Sequence, residues 1–237
     1  MSNNEAEMNR ALAATGRPAT PASTDILAPV DAIVLGASAG GVEALLALVA
    51  ALPASLVLPI VAVMHLPRDR PSVLVEVLGA CARIAVREAE DKDMLLPGLV
   101  IAPPDYHVLL DVDSGRRHLA RARDVHLALS NDALVCYCRP SIDVLFQSAA
   151  EVLGPRVAGV ILTGANADGA FGLQTIKAFG GLCAVQSPNE AAVRTMPEAA
   201  IARAQPQLVA PLKGIIEWII ALDAYQTSGM KGGVSHG

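Results

Sequence analysis

From Val30 to Leu52 the chain reads VDAIVLGASAGGVEALLALVAAL: an apolar run, a glycine cluster and a helical repeat in direct succession. Val30 to Leu35 is long enough for one strand. Val42, Leu45, Leu46, Val49 and Leu52 recur at the spacing of one helix face. Strand, tight turn and helix form the opening unit of an α/β fold, and the turn, Gly36-Ala37-Ser38-Ala39-Gly40-Gly41, carries one serine. Ser38 lies beside the first N–H groups of a helix, which lack intrahelical partners and favour negative charge. Three readings fit that position: a cap or packing residue, a phosphate or dinucleotide loop close to G-x-G-x-x-G, or an acyl-transfer nucleophile.

The remaining sequence bears on that choice. Of 237 residues 53% are hydrophobic but only 3% aromatic, a composition rich in Ala, Val and Leu that suits buried parallel strands under close-packed helices. A net charge of −5 offers no basic footprint for nucleic acid. Cys81, Cys136, Cys138 and Cys183 contain no C-x-x-C pair and no matching His cluster, so they read as apolar filler and no metal is expected. The opening residues are polar and acidic, unlike a signal peptide, and a cytoplasmic protein is expected. Ala44 to Met64 is free of charge and long enough to span a bilayer. Pro53, Ser55 and Pro59 interrupt it, and it reads instead as helix end, turn and second strand.

Residues 1–28 have no sustained period and are expected to be a flexible tail. Apolar runs at Leu56–Met64, Arg83–Ala89, Leu99–Ala102, Val157–Leu162 and Leu182–Val185 predict strands. Asp69 is a candidate cap for a helix through Val73, Leu74, Val77 and Leu78. Val108–Val112, a turn at Asp113-Ser114-Gly115, and Arg117–Leu119 predict a hairpin. Ser141 is placed to cap a helix with the stripe Ile142, Leu145, Phe146, Ala149 and Leu153, stopped by Gly154-Pro155. Helices are also predicted after Asp168, over Glu198–Arg203 and over Lys213–Tyr225, with a disordered tail over 226–237. The expected fold is a doubly wound, mostly parallel α/β sheet, a Rossmann-like three-layer αβα arrangement with an antiparallel hairpin attached. A single domain is expected to span 29–225.

In this scheme Ser38 follows the first strand, His65 ends the second and Asp168 follows the strand Val157–Leu162. If those strands run parallel, all three reach the carboxyl edge of one sheet, where α/β proteins form their ligand crevices. A serine needs a base to take its proton, and His65 titrates in the right range. A buried Asp168 would fix the imidazole tautomer, although capping its own helix is the default role for that position. Backbone N–H groups at the helix start and in the Gly164-Ala165-Asn166 loop could hold an oxyanion. His107 and Asp105 are two ligands without a third, and His107 is expected to line the cleft or hairpin. The order Ser…His…Asp differs from that of α/β-hydrolases despite the G-x-S-x-G text. The second strand ends Val63-Met64-His65, without the acid that a dinucleotide ribose requires.

These residues, with their surroundings, resemble a known family. IVLGASAGGVEAL, VAVMHLP, EAEDKDMLLPGLVIAPPDYHVLL, RPSIDVLFQSAA, GVILTGANADGAFGL, and FGGLCAVQ followed by TMPEAAI occur in the order found in the catalytic domain of CheB-type chemotaxis protein-glutamate methylesterases. The resemblance covers about Ala32 to Leu222. It implies Ser38 as nucleophile, His65 as base and Asp168 as orienting acid, with Ala39, Gly164, Ala165 and Asn166 in the oxyanion region. It further implies hydrolysis of glutamate γ-methyl esters on the cytoplasmic helices of chemoreceptors, deamidation of receptor glutamines, chemosensory signalling partners and no cofactor. Ala39 stands where the family usually has Thr, Ala165-Asn166 where it has Met-Gly, Thr195 and Pro104 where it has Gly. The usual N-terminal receiver domain is not seen, so control by phosphorylation within this chain is not expected. The alternative is a catalytically impaired module of the same fold that binds a receptor or partner.

Overall fold

The computed structural model describes residues 26–66, 72–113 and 121–231. Seven parallel strands form one sheet in the order β3-β4-β2-β1-β7-β8-β9. They are β1 (Ala32–Ala37), β2 (Pro59–Met64), β3 (Val86–Glu88), β4 (Gly98–Ile101), β7 (Val157–Ile161), β8 (Leu182–Gln186) and β9 (Leu208–Ala210). Strands β5 (His107–Val112) and β6 (Val125–Ser130) form a separate antiparallel pair. The helices are α1 (Gly41–Ala51), α2 (Leu74–Gly79), α3 (Ile142–Leu153), α4 (Ala170–Ala178), α5 (Thr195–Ala204) and α6 (Leu212–Lys231).

Both faces of the sheet are covered, which is why β1, β2 and β7 are apolar without alternation. Ile33 and Leu35 face α1, α2 and α6 on one side. Ala32 and Val34 face α3, α4, α5 and the β5–β6 hairpin on the other. This is the doubly wound three-layer arrangement expected from the sequence. The chain passes from β1 to β2, goes out to the edge at β3, returns to insert β4 between β3 and β2, and then crosses back to β7, β8 and β9. The strand order therefore reverses at β1 and β7, where α/β folds open a crevice at the carboxyl ends. The uncharged stretch Ala44–Met64 divides into the end of α1, a turn and β2, and no helix among the described residues is long and apolar enough to cross a membrane.

Several elements depart from the sequence expectation. The partner of β5 is Val125–Ser130, whereas Arg117–Leu119 and most of the expected turn lie outside the described residues. Lys92 N and Leu95 N donate to Leu127 O and Val125 O, so β6 is also held along the 92–95 segment. Strand β9 was not expected. α6 runs to Lys231 rather than ending at Tyr225. Asp69 and residues 1–25 lie outside the described residues.

Helix α6 is tied to the sheet by a polar clasp. Asp223 is buried, and its Oδ1 accepts the N–H groups of Val57 and Leu58, each at 2.9 Å. Alanine at 223 would leave both donors without this acceptor. Asp223→Ala is expected to destabilise the fold by about 2 kcal/mol. In thermal unfolding this is a fall in Tm of about 4–8 °C.

Candidate active site

Ala37 pairs with Met64 across β1 and β2, and His65 N donates to Ala37 O at 3.1 Å. Ser38 and His65 therefore leave neighbouring strands at the same level. On the other flank Ser38 N donates to Thr163 O at 2.9 Å, which ties the serine turn to the loop after β7. Gly40 has φ 76, and a Cβ there would lie 2.5 Å from the Ala192 Cβ. Glycine permits both that left-handed turn and the close approach. The Thr163 hydroxyl completes the bracing, donating to Ala39 O and accepting from Val193 N, both at 2.8 Å.

Asp168 is fully buried beneath this turn. Its Oδ2 accepts from His65 Nε2 at 2.9 Å and from Ile142 N at 2.7 Å. Its Oδ1 accepts from the Ser141 hydroxyl at 2.8 Å and from Asp143 N at 3.1 Å. The carboxylate thus caps α3, a helix more than twenty residues upstream, and orients the histidine with the same two oxygens. Ser141 occupies the N-cap position, but its hydroxyl serves Asp168 and makes no cap bond of its own. Next to the acid, Gly169 has φ 92, and a Cβ there would come within 2.6 Å of Ile142 and Ile161. That small residue lets the loop press against the start of α3.

The electrostatics follow from these contacts. Burial alone would raise the Asp168 pKa, but hydrogen bonds from His65, Ile142, Asp143 and Ser141 outweigh it and hold the carboxyl below its usual range. Burial alone would lower His65. Its bonds to Asp168 and Cys138, with the charge of both partners, prevail and raise its pKa from 6.5 to about 9. Asp143 is pushed up, chiefly by burial.

The expected site residues are brought together unequally. His65 and Asp168 are bonded. Ser38 stands beside them at the strand ends, but no hydrogen bond joins its hydroxyl to His65 among the described residues. The N–H groups of Ala39 and Ala165 have no protein acceptor among the described residues and remain available to a ligand. Gly164 differs from expectation because its N–H is taken by Val193 O at 3.1 Å. The Asn166 side chain faces inward, with Oδ1 on Asp168 N and Nδ2 on Cys138 Sγ. His107 is buried and bonded at both nitrogens, to Ala133 O and Ser141 N, while Asp105 pairs with Arg139. It therefore stitches the hairpin to α3 and does not line the cleft.

The four cysteines do not form one class. Cys183 is buried filler, its thiol pushed up to about 12 by burial. Cys81 and Cys136 are exposed, and Cys138 lies 3.8 Å from His65 Nδ1. Cys138 is thus a site residue, placed there by a contact between positions 73 residues apart. The one sequence signal was its place just before Arg139-Pro140-Ser141. His65, Cys138 and Asp168 are close enough to suggest cation ligands. However, the four hydrogen bonds already occupy both Asp168 oxygens, so the group is built as a hydrogen-bond network.

Beside His65 is a cleft of about 90 Å³ lined by Leu66, Tyr137, Cys138, Arg139 and Pro140. A larger cavity of about 450 Å³ lies at the opposite, amino end of the strands, near Asp31 and Pro59. The titratable cluster, rather than cavity size, marks the functional edge.

A parallel sheet wound on both sides, with the bonded pair His65 and Asp168 at its point of strand reversal and Ser38 on the adjoining turn, defines a doubly wound α/β protein with its candidate site at the carboxyl edge. The chain belongs to the CheB methylesterase family, whose profile matches residues 33–219. A Leptospira interrogans protein is 40% identical over 194 residues, covering 81% of this chain and 95% of its own length. Its name gives it provisionally as a protein-glutamate methylesterase/protein-glutamine glutaminase. Protein-glutamate methylesterase/protein-glutamine glutaminase 1 of Anaeromyxobacter dehalogenans is 37% identical over 222 residues, covering 90% of this chain and 60% of its own. The crystal structure of the Thermotoga maritima CheB methylesterase catalytic domain superposes with a TM-score of 0.75 at 31% identity, covering 82% of this chain and 100% of that one.

Proposed function

We propose that the protein is a serine hydrolase that removes γ-methyl esters from glutamates on the cytoplasmic helices of chemoreceptors, and that it also deamidates receptor glutamines. Ser38 attacks the γ-carbonyl, His65 takes the serine proton and delivers it to the departing methoxide, and methanol leaves. Water then enters by the reverse proton route, releasing the glutamate and restoring Ser38. Asp168 holds the imidazole and stabilises the imidazolium formed in both steps. The N–H groups of Ala39 and Ala165 suit the oxyanion, a contribution on the order of 3 kcal/mol per donor. Closing the remaining gap between the Ser38 hydroxyl and His65 is assigned to substrate binding, when such contacts tighten.

The observation that carries this reading is the 2.9 Å His65–Asp168 bond at the strand ends beside Ser38. Methanol release from methylated receptor by the purified protein tests it. Turnover is expected, and binding of receptor without any release would overturn it.

The pH dependence is a further test. His65 must be neutral to act as base, and its pKa is near 9. kcat/KM is therefore expected to climb about tenfold per pH unit through the neutral range and to level off above about 9. Stability runs the other way. The folded state holds the His65 proton more tightly than the unfolded chain, so this contribution is whole below 6.5 and is lost as pH rises through about 9. A pH–rate profile that is flat from 6 to 9, to within about twofold, would remove His65 from the role of base.

A further inference from the structure

The segment that delivers Cys138 is unusual in its backbone. Val135 N donates to Cys138 O at 3.1 Å and Cys138 N to Val135 O at 2.8 Å, closing a two-residue hairpin turn. The two turn residues, Cys136 and Tyr137, have φ 50 and 63. Such mirror-image turns favour Gly and Asn. A residue with a Cβ is strained in the left-handed region, and two in succession persist only where the surroundings hold them. The conformation is held from below by Arg139. Its Nε and Nη2 donate to Asp105 Oδ1 at 3.1 and 2.8 Å, and its Nη1 donates to Asn131 O and Asp132 O at 2.7 and 2.9 Å.

The braced turn directs two side chains in opposite ways. Tyr137 points outward and is 94% exposed. Cys138 points in, with Sγ 3.8 Å from His65 Nδ1 and accepting a hydrogen bond from Asn166 Nδ2 at 3.3 Å. Nε2 of His65 is committed to Asp168, so Nδ1 is the nitrogen left to receive a proton. The imidazole is thus supported at both edges, by a carboxylate beneath and a sulfur beside it. Apolar filler would need neither the strained turn nor the amide donor.

We propose that Cys138 is a positioning residue for His65: its thiol, aimed by the Val135–Cys138 turn and by Asn166, packs against the Nδ1 edge and holds the ring in its bond to Asp168. The proposal rests on His65 being the base, and it gives the thiol no bond to substrate. The sulfur also favours the imidazolium, to which it can act as acceptor from Nδ1–H. Asp168 and Cys138 are the titratable groups bonded to the ring, with Tyr137 and Arg139 also lining the cleft and Arg139 bound to Asp105.

The test compares wild type, Cys138→Ala and Cys138→Ser by NMR titration of the His65 ring and by the pH dependence of methanol release. In Cys138→Ala, His65 is expected to titrate at lower pH, because a contact that raises its pKa is gone. The acid limb of kcat/KM moves down with it. On the high-pH plateau kcat falls by about threefold to fivefold, the size of one weak hydrogen bond, with KM unchanged. Cys138→Ser, which keeps a donor and acceptor at that place, restores both the limb and the plateau. An alanine variant in which His65 titrates as in wild type overturns the proposal, whatever its rate. If that variant does not fold, a folded serine variant with a wild-type limb supports the proposal, and one whose limb has moved down overturns it. The ring titration needs no turnover, so a protein that released no methanol would defeat the esterase reading while the Cys138 contact was still decided.

Discussion

Ser38→Ala is expected to abolish methanol release, lowering kcat by about 10⁴-fold to 10⁶-fold, while Tm stays within about 1–2 °C of wild type. The size of the loss follows from removing a nucleophile whose partners act as a unit. The retained fold follows from how the turn is built. Ser38 contributes its N–H to Thr163 O and its C=O to Gly41 N, and neither bond involves the hydroxyl. The glycines, the Thr163 brace and the β1 register are all indifferent to Oγ. A serine-directed phosphonate should label wild type at Ser38 and leave the variant unlabelled. Release from Ser38→Ala at the wild-type rate would end its role as nucleophile.

Asp168→Asn is expected to fail in two ways at once. An amide has one acceptor oxygen where the carboxylate has two. Whichever way it turns, an NH₂ group faces either the His65 and Ile142 donors or the Ser141 and Asp143 donors. The histidine loses its orienting anion, for which a fall in kcat on the order of 10⁴-fold is expected. The start of α3 loses a buried, charged cap, which should cost about 3–5 kcal/mol. Denaturant unfolding and methanol release, measured on one preparation below its midpoint, separate the two losses. A variant that is less stable but fully active would leave Asp168 with structural duty alone. One that is inactive but as stable as wild type would deny it the cap.

The parts of the fold legible in the sequence were those whose signals are local. Val30–Leu52 announced β1, the turn and α1 because strand length, glycines and helical spacing coincide there. Gly154-Pro155 marked the end of α3 for the same reason. β9 escaped because three residues, Leu208–Ala210, are too few to show a period. β6 does alternate, with Val125 and Leu127 buried, but the turn residues at Asp113-Ser114-Gly115 drew attention to a nearer partner. At the site, His65 and Asp168 could be paired from strand order alone. The cap that Asp168 gives to α3, the contact of Cys138 with His65 and the loss of the Gly164 N–H to Val193 are all tertiary, and no local pattern encodes them. Ser141 shows the limit well: it sits where a cap belongs, yet its hydroxyl is turned to the acid.

Because one aspartate both anchors the start of a helix and holds His65, the two contacts cannot drift apart. A descendant that gave up hydrolysis would still need the carboxylate at 168 to stand upright, whereas nothing in its architecture would defend the hydroxyl at 38. Among relatives of this chain, then, a surviving aspartate says little about whether turnover persists. The serine is the more truthful witness.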